Sequence, residues 1–384
     1  MTVSIGRREL LTALGGAAAW PLAARAQQAD DAGDRVSAST TANSLLTISP
    51  GREFTSNAWC YQRLAPNAEL DPNSALIANR LVSDMRAGQS VLYDSMGMPI
   101  WIVDPGVPTV PVKVIADSGP WTDQLTSQFA AVPLPANFLP GAPTDSEAVV
   151  YQPSTHKLWE GWIWEKTGAR VLNSAGQLVD EWSVRWGGHE SDVRGSDGTW
   201  APQPPSGIKP GMVAAGIHWI SFSITLGDLK QQAINHPVGL VIPIGTRRSD
   251  VWNHPPAWRT DGYAPNVGPD LTPEGAIFRL PANLDLNQWP KIAWDGTSVK
   301  THWRLVAEAI QNYGMVIMDQ GGGAIMCGED PFITYGGVNP IDADPILSKV
   351  MGTYHPWGYD NQAIHWVDFP WSQLQLLKMN LVSI

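Results

Sequence analysis

Apolar and polar positions recur along the chain with two periods, and the period assigns most elements. Ile77, Leu81 and Met85 fall four residues apart, which sets them on one face of a helix. Asp71-Pro72-Asn73-Ser74 reads as the start of that helix, with Ser74 as its cap and Gly88 as its stop. A second helix is expected over 301–313, where Trp303, Val306, Ile310 and Tyr313 share a face ahead of Gly314. Elsewhere the apolar runs are short. They predict strands at 91–93, 99–103, 110–115, 149–151, 158–164, 169–172 and 178–186. Further strands are expected at 217–224, 239–244, 276–280 and 315–318. Lys166-Thr167-Gly168 and Ser174-Ala175-Gly176 read as turns, and the proline-bearing stretch 131–145 as a loop. The glycines and prolines of 187–212 predict a long surface excursion.

Many short strands with few helices predict a mainly β fold, an antiparallel β-sandwich or jelly-roll. One helix-to-strand unit at 301–318 is too little for a doubly wound α/β sheet, which repeats that unit. No internal repeat interrupts the pattern. The order expected is an export signal at 1–26, a flexible linker at 27–47 and one β-rich unit at 48–384.

The signal is read from Arg7-Arg8, an apolar stretch from Leu10 to Leu22 and an Ala24-Arg25-Ala26 cleavage site. Paired arginines ahead of Glu9-Leu10-Leu11 resemble a twin-arginine motif, so the export machinery is an expected partner. The apolar stretch is shorter than the roughly 20 residues that span a bilayer, so no membrane insertion is expected. The expected location is periplasmic or secreted.

Composition narrows the function. The 384 residues carry a formal charge of −11, which disfavours nucleic acid as a partner because phosphate binding wants a basic face. Tryptophan is the outlier, with 19 residues against 7 phenylalanines and 8 tyrosines, so indoles must serve the core, a ligand or both. Cys60 and Cys327 could form one disulfide in an oxidising compartment, or remain as buried thiols. No C-x-x-C, H-E-x-x-H, phosphate loop or dinucleotide fingerprint is present, so no metal and no cofactor are expected. There is no G-x-S-x-G elbow, and Ser154-Thr-His-Lys157 lacks the partner motifs of a serine–lysine hydrolase.

The densest chemistry lies in Lys157-Leu-Trp-Glu-Gly-Trp-Ile-Trp-Glu165. With period two, Glu160, Trp162 and Trp164 share one face. Indoles stack on the apolar faces of sugar rings and carboxylates bond their hydroxyl edges. A carboxyl between indoles is also desolvated, which raises its pKa toward general-acid work. Each Trp has a core role as its alternative. In Glu181 to Asp192, Trp182, Val184 and Trp186 share a face, and His189, Glu190 and Asp192 sit where the strand opens into the excursion. Polar residues at such a place are plausible site residues. The acid spacing through Asp197 lacks the full calcium-loop pattern. His218 alternates with apolar residues and suits a core or a site, and Asp319 would end a buried strand as a carboxylate or a turn former.

The order Asp71-Pro-Asn-Ser74, Gly216-Ile-His-Trp219, Arg259-Thr-Asp-Gly262, Pro273-Glu-Gly-Ala-Ile-Phe-Arg-Leu280, Ala309-Ile-Gln-Asn-Tyr-Gly314 and Asp319 resembles a group of exported, Trp-rich bacterial proteins. The resemblance covers most of the chain after the signal. It implies that 48–384 is one unit, marks His218, Asp261, Gln311 and Asp319 for testing, and brings no activity with it.

The function expected is an exported carbohydrate-active enzyme, a glycoside hydrolase using paired carboxylates on an oligo- or polysaccharide. Glu160 and Asp319 are the expected acid/base pair, with Asp261 in reserve and His218 as a further catalytic candidate. Trp162, Trp164, Trp186 and Trp258 are the expected stacking platforms, with Gln311 and Tyr313 as further substrate contacts. The acidic chain favours a neutral glycan. A polyuronate would instead call for β-elimination with His218 or Tyr313 as base. A non-catalytic glycan- or envelope-binding protein is the other alternative.

Overall fold

The computed structural model describes residues 54–87, 98–115, 120–141, 145–204, 207–260, 266–321, 323–335, 340–351 and 369–383. The expected signal, the linker, the strand at 91–93 and Asp261 lie outside the described residues.

The fold is rich in sheet and has few helices, as the pattern predicts. The first five-stranded sheet runs in the order β1 (Ile100–Ile102), β5 (Ala148–Gln152), β6 (Lys157–Leu172), β7 (Leu178–Glu190), β3 (Lys113–Val114). The second runs β13 (Ile325–Met326), β8 (Val238–Pro243), β12 (Met315–Gly321), β11 (Ile277–Arg279), β14 (Gln375–Leu376). A three-stranded sheet orders β10 (Thr272–Glu274), β9 (Arg247–Asn253) and β15 (Leu381–Ser383), and β2 (Thr109–Val110) pairs with β4 (Val132–Pro133). The sheets are mixed, which departs from the antiparallel expectation. β1 and β5, β3 and β7, β8 and β12, and β9 and β10 all run parallel. Parallel neighbours need a crossover, and the chain between β8 and β12 supplies one that contains α4 (His302–Asn312).

Period-two alternation sends the strand faces to different cores. On the second sheet Leu240, Ile242, Met315 and Ile317 pack with α1 (Ser74–Ala87), α3 (Leu226–Lys230) and α4. Their neighbours Val241, Val316 and Met318 turn to a central core. That core also takes Ile100, Val149, Tyr151 and Leu158, so it lies between the two five-stranded sheets. The opposite face of the first sheet, with Val150 and Trp159, packs on Leu125 of α2 (Pro120–Gln128) in a third core.

Local details depart from the pattern where tertiary partners compete. Thr301 caps α4 as a side-chain acceptor of the Arg304 N–H. Ser74 does not cap α1 in that way; its hydroxyl accepts the Leu376 N–H at 2.7 Å and ties the helix to β14. Lys166-Thr167-Gly168 does not turn the chain. β6 runs on through it with a bulge against β7 between Lys166 and Arg170. Residues 217–224 form a single 3₁₀ turn at Trp219–Ser221 in place of the expected strand. The excursion after β7 is a surface feature only in part. Trp200, Ile208 and Met212 to Ala215 are buried; Met212, Val213 and Ala215 enter the central core, and Ile208 enters the third.

Candidate functional site

β6 and β7 carry the candidate residues Glu160 and Glu190, and their register fixes which side chains meet. Leu158 faces Glu190 across the pair and Glu160 faces Gly188, so both carboxyls stand on the face that meets the central core. Residues 198–204 and 207–218 close over them. His218 N–H donates to the Gly198 carbonyl at 3.1 Å, and Trp200 N–H to the Gly216 carbonyl at 2.9 Å. These bonds set the Trp200 and His218 rings against each other, with centroids 4.1 Å apart. Trp200 fits only because glycines flank it. A Cβ on Gly188 would stand 2.9 Å from its ring, and Gly211, at φ +97°, lies closer still.

Glu160 is fully enclosed at 0% exposure. Its Oε2 accepts the Trp200 indole N–H at 3.2 Å, and its Oε1 accepts the Ile220 N–H at 3.3 Å. Burial pushes its pKa up to about 7, against the pull of these donors. His218 is also at 0% exposure, and neither ring nitrogen has a hydrogen-bond partner. Burial lowers its pKa to about 3, so the ring is neutral. Its Nε2 lies 3.8 Å from Oε2 of Glu190, whose side chain is 25% exposed. Glu190 is thus where the cluster meets the surface. Its pKa is pushed up to about 7, first by burial and then by the charges of Asp192 and Asp197, against an N–H donated by Ser191.

Asp192 is held ionised near pKa 2 by Arg194, which donates to both its oxygens at 2.8 and 2.7 Å. Asp197 is exposed, and its Oδ1 accepts from the Thr199 N–H and hydroxyl at 3.0 and 2.6 Å. Two half-buried indoles flank this corner. Trp59 donates to the Gly198 carbonyl at 3.3 Å, and Trp258 to the Thr199 hydroxyl at 2.8 Å.

The expected acid pair is divided between the two five-stranded sheets. Asp319 lies on β12 in the other sheet, where its carboxylate accepts from the Ala214 and Gln320 amides at 3.2 and 2.8 Å. Trp164 does not share a face with Glu160 and Trp162. Ile163 takes φ +54°, which breaks the alternation. The Ile163 and Trp164 amides donate to the Asp145 and Ser146 carbonyls, and the Trp164 indole turns into the third core beside Phe129 and Phe138. At 1% exposure it is a core residue, not a stacking platform. Trp162 is half-buried and donates to Asp145 at 3.0 Å, and Trp186 stands opposite it on β7 beneath the Arg259 guanidinium.

Gln311 is also structural. Its amide donates to the Pro281 and Leu284 carbonyls at 2.8 and 3.0 Å. Tyr313, buried at the end of α4, meets Arg63 through its hydroxyl at 3.3 Å. Gln311 lies on α4 and Tyr313 is its C-cap. Cys60 and Cys327 are both buried, and no disulfide joins them.

Three residues of this corner carry weak signals in the sequence: Glu190 is a polar residue at a strand end, Asp197 is part of an incomplete calcium pattern, and Trp59 has no local pattern around it. Among the described residues no group of three or more His, Cys, Asp and Glu side chains is placed to hold a metal ion. Compared with known proteins, the chain matches no family model, no curated protein and no solved structure.

Proposed function

We propose that this chain is an exported carbohydrate-active enzyme, a glycoside hydrolase in which Glu190 is the general acid and Asp197 the base or nucleophile. The observation that carries the reading is Glu190: a carboxyl raised to about 7, at the open edge of a buried polar cluster. A carboxyl with that pKa keeps its proton near neutrality and can give it to a leaving glycosidic oxygen. Asp197 is exposed beside it and close enough for its charge to act on Glu190. Trp59 and Trp258, bonded to Gly198 and Thr199 next to Asp197, are the faces for sugar rings. Glu160 lies deeper and holds Trp200 and the Ile220 amide in place.

A neutral glycan suits the site better than a polyuronate, because Glu190, Asp192 and Asp197 would repel a chain of carboxylates. The two five-stranded sheets, sharing the central core, are read as the halves of a sandwich that carries this site on its first sheet.

The test is hydrolysis of a panel of neutral oligo- and polysaccharides, read as new reducing ends. Wild type should cleave at least one member. Glu190→Gln should lose on the order of 10²–10⁴-fold in rate, the usual cost of removing a general acid. Binding of a panel member without cleavage would replace the reading by a glycan-binding protein.

A further inference from the structure

His218 is the one part of this cluster that the proposed reaction leaves without a task. It is fully buried, and both ring nitrogens lack a partner. An unsatisfied buried polar group is costly, so a side chain left in that state calls for a role. The ring cannot turn away from its position. It is held between Trp200, at 4.1 Å between centroids, and Phe54, at 5.4 Å. Its Nε2 and Oε2 of Glu190 are 3.8 Å apart, too far for a hydrogen bond and near enough for one to form by a small movement. The movable partner is Glu190, which ends β7 and is partly exposed.

We infer that His218 is a positioning residue for Glu190: its Nε2–H closes onto the Glu190 carboxylate when that group has given up its proton. The inference rests on Glu190 as the acid of the proposed reaction. The charged groups facing Glu190 are Asp192 and Asp197, both of which oppose its ionisation, while Lys157 bears on His189. The neutral imidazole is then the side-chain donor within reach. It would favour the carboxylate and hold it in one orientation, so the acid can be reprotonated in place after each turnover. A neutral ring does this without adding charge to the core. Burial, which keeps His218 unprotonated, supports that role.

The experiment needs no substrate. Glu190 is titrated by its side-chain carboxyl carbon signal in NMR, assigned by its loss in Glu190→Gln. In His218→Phe the midpoint should rise by about one to two pH units, the size of one hydrogen bond to a charged group. His218→Gln keeps an N–H donor and should hold the midpoint near that of wild type. Equal shifts in both variants, or no shift in either, would overturn the inference. If the Phe variant does not fold, wild type decides. Imidazole nitrogen shifts at pH 9 should show the proton on Nε2, and a proton on Nδ1 alone would refute the role. Failure to cleave any glycan would overturn the hydrolase reading and leave this titration to be judged by itself.

Discussion

Glu160→Gln separates the cost of burying a carboxyl from the value of its hydrogen bonds. In the folded protein Glu160 titrates near 7, against 4.5 for the free group, and burial is the main cause. The folded state therefore holds this proton more tightly than the unfolded chain. Stability from that difference is fully present below pH 4.5 and is lost as pH rises through 7. At about 1.4 kcal/mol per pH unit, the loss from this one group approaches about 3 kcal/mol by pH 8. Glutamine is neutral at every pH and removes the slope. It also offers one acceptor oxygen where two N–H groups point, from Trp200 and Ile220. One donor is then left facing an amide N–H₂, a fixed cost of about 1–3 kcal/mol. The variant should be less stable than wild type at pH 5 and should match or exceed it at pH 8. Glu190 and Glu329 also titrate near 7, but both remain in the variant, so they cancel in the difference. The assay is urea unfolding of both proteins at pH 5, 6, 7 and 8. A constant difference across that range would refute the reasoning, because it would mean that Glu160 ionises in the fold as easily as in the unfolded chain.

Glycan cleavage should fall with rising pH above about 7 as Glu190 loses its proton, and a rate that stays level to pH 9 would exclude it as the acid. Trp164→Ala should cost about 3–5 kcal/mol in a denaturant melt while leaving KM unchanged, since the indole fills a core; a raised KM at unchanged stability would restore it as a platform. Gly188→Ala puts a methyl against Trp200 and should destabilise by about 1–3 kcal/mol, visible as a lower Tm; an unchanged Tm would show that Trp200 can shift. Mass spectrometry after alkylation in non-reducing denaturant should find two modified thiols, at Cys60 and Cys327, and an unmodified pair would restore the disulfide.

The sequence by itself determined the elements whose cause is local. The four-residue spacing of Ile77, Leu81 and Met85, with Asp71-Pro72 ahead of it, marked α1. The shared face of Trp303, Val306, Ile310 and Tyr313 ahead of Gly314 marked α4, and short apolar runs marked β5, β8 and β12. The sequence also pointed to β6 and β7 as the place of the chemistry, because Glu160 and Glu190 lie among indoles and glycines there. What it could not carry was anything set by residues distant along the chain. Period two assigned Trp164 to the Glu160 face. The carbonyls of Asp145 and Ser146 draw the chain out of alternation at Ile163 and send that indole to another core. Asp319 is expected at the end of a buried strand, but β12 continues through it to Gly321, and only sheet order shows that the strand belongs to the opposite sheet. Proton affinities were equally hidden. Glu160 and Glu190 are ordinary glutamates until residues 198–204 and 207–218 fold over them and remove their water. A period is a property of neighbours in the chain. Burial and electrostatic environment depend on what the rest of the chain brings to the same place, and here that meant the return of one loop across the first sheet.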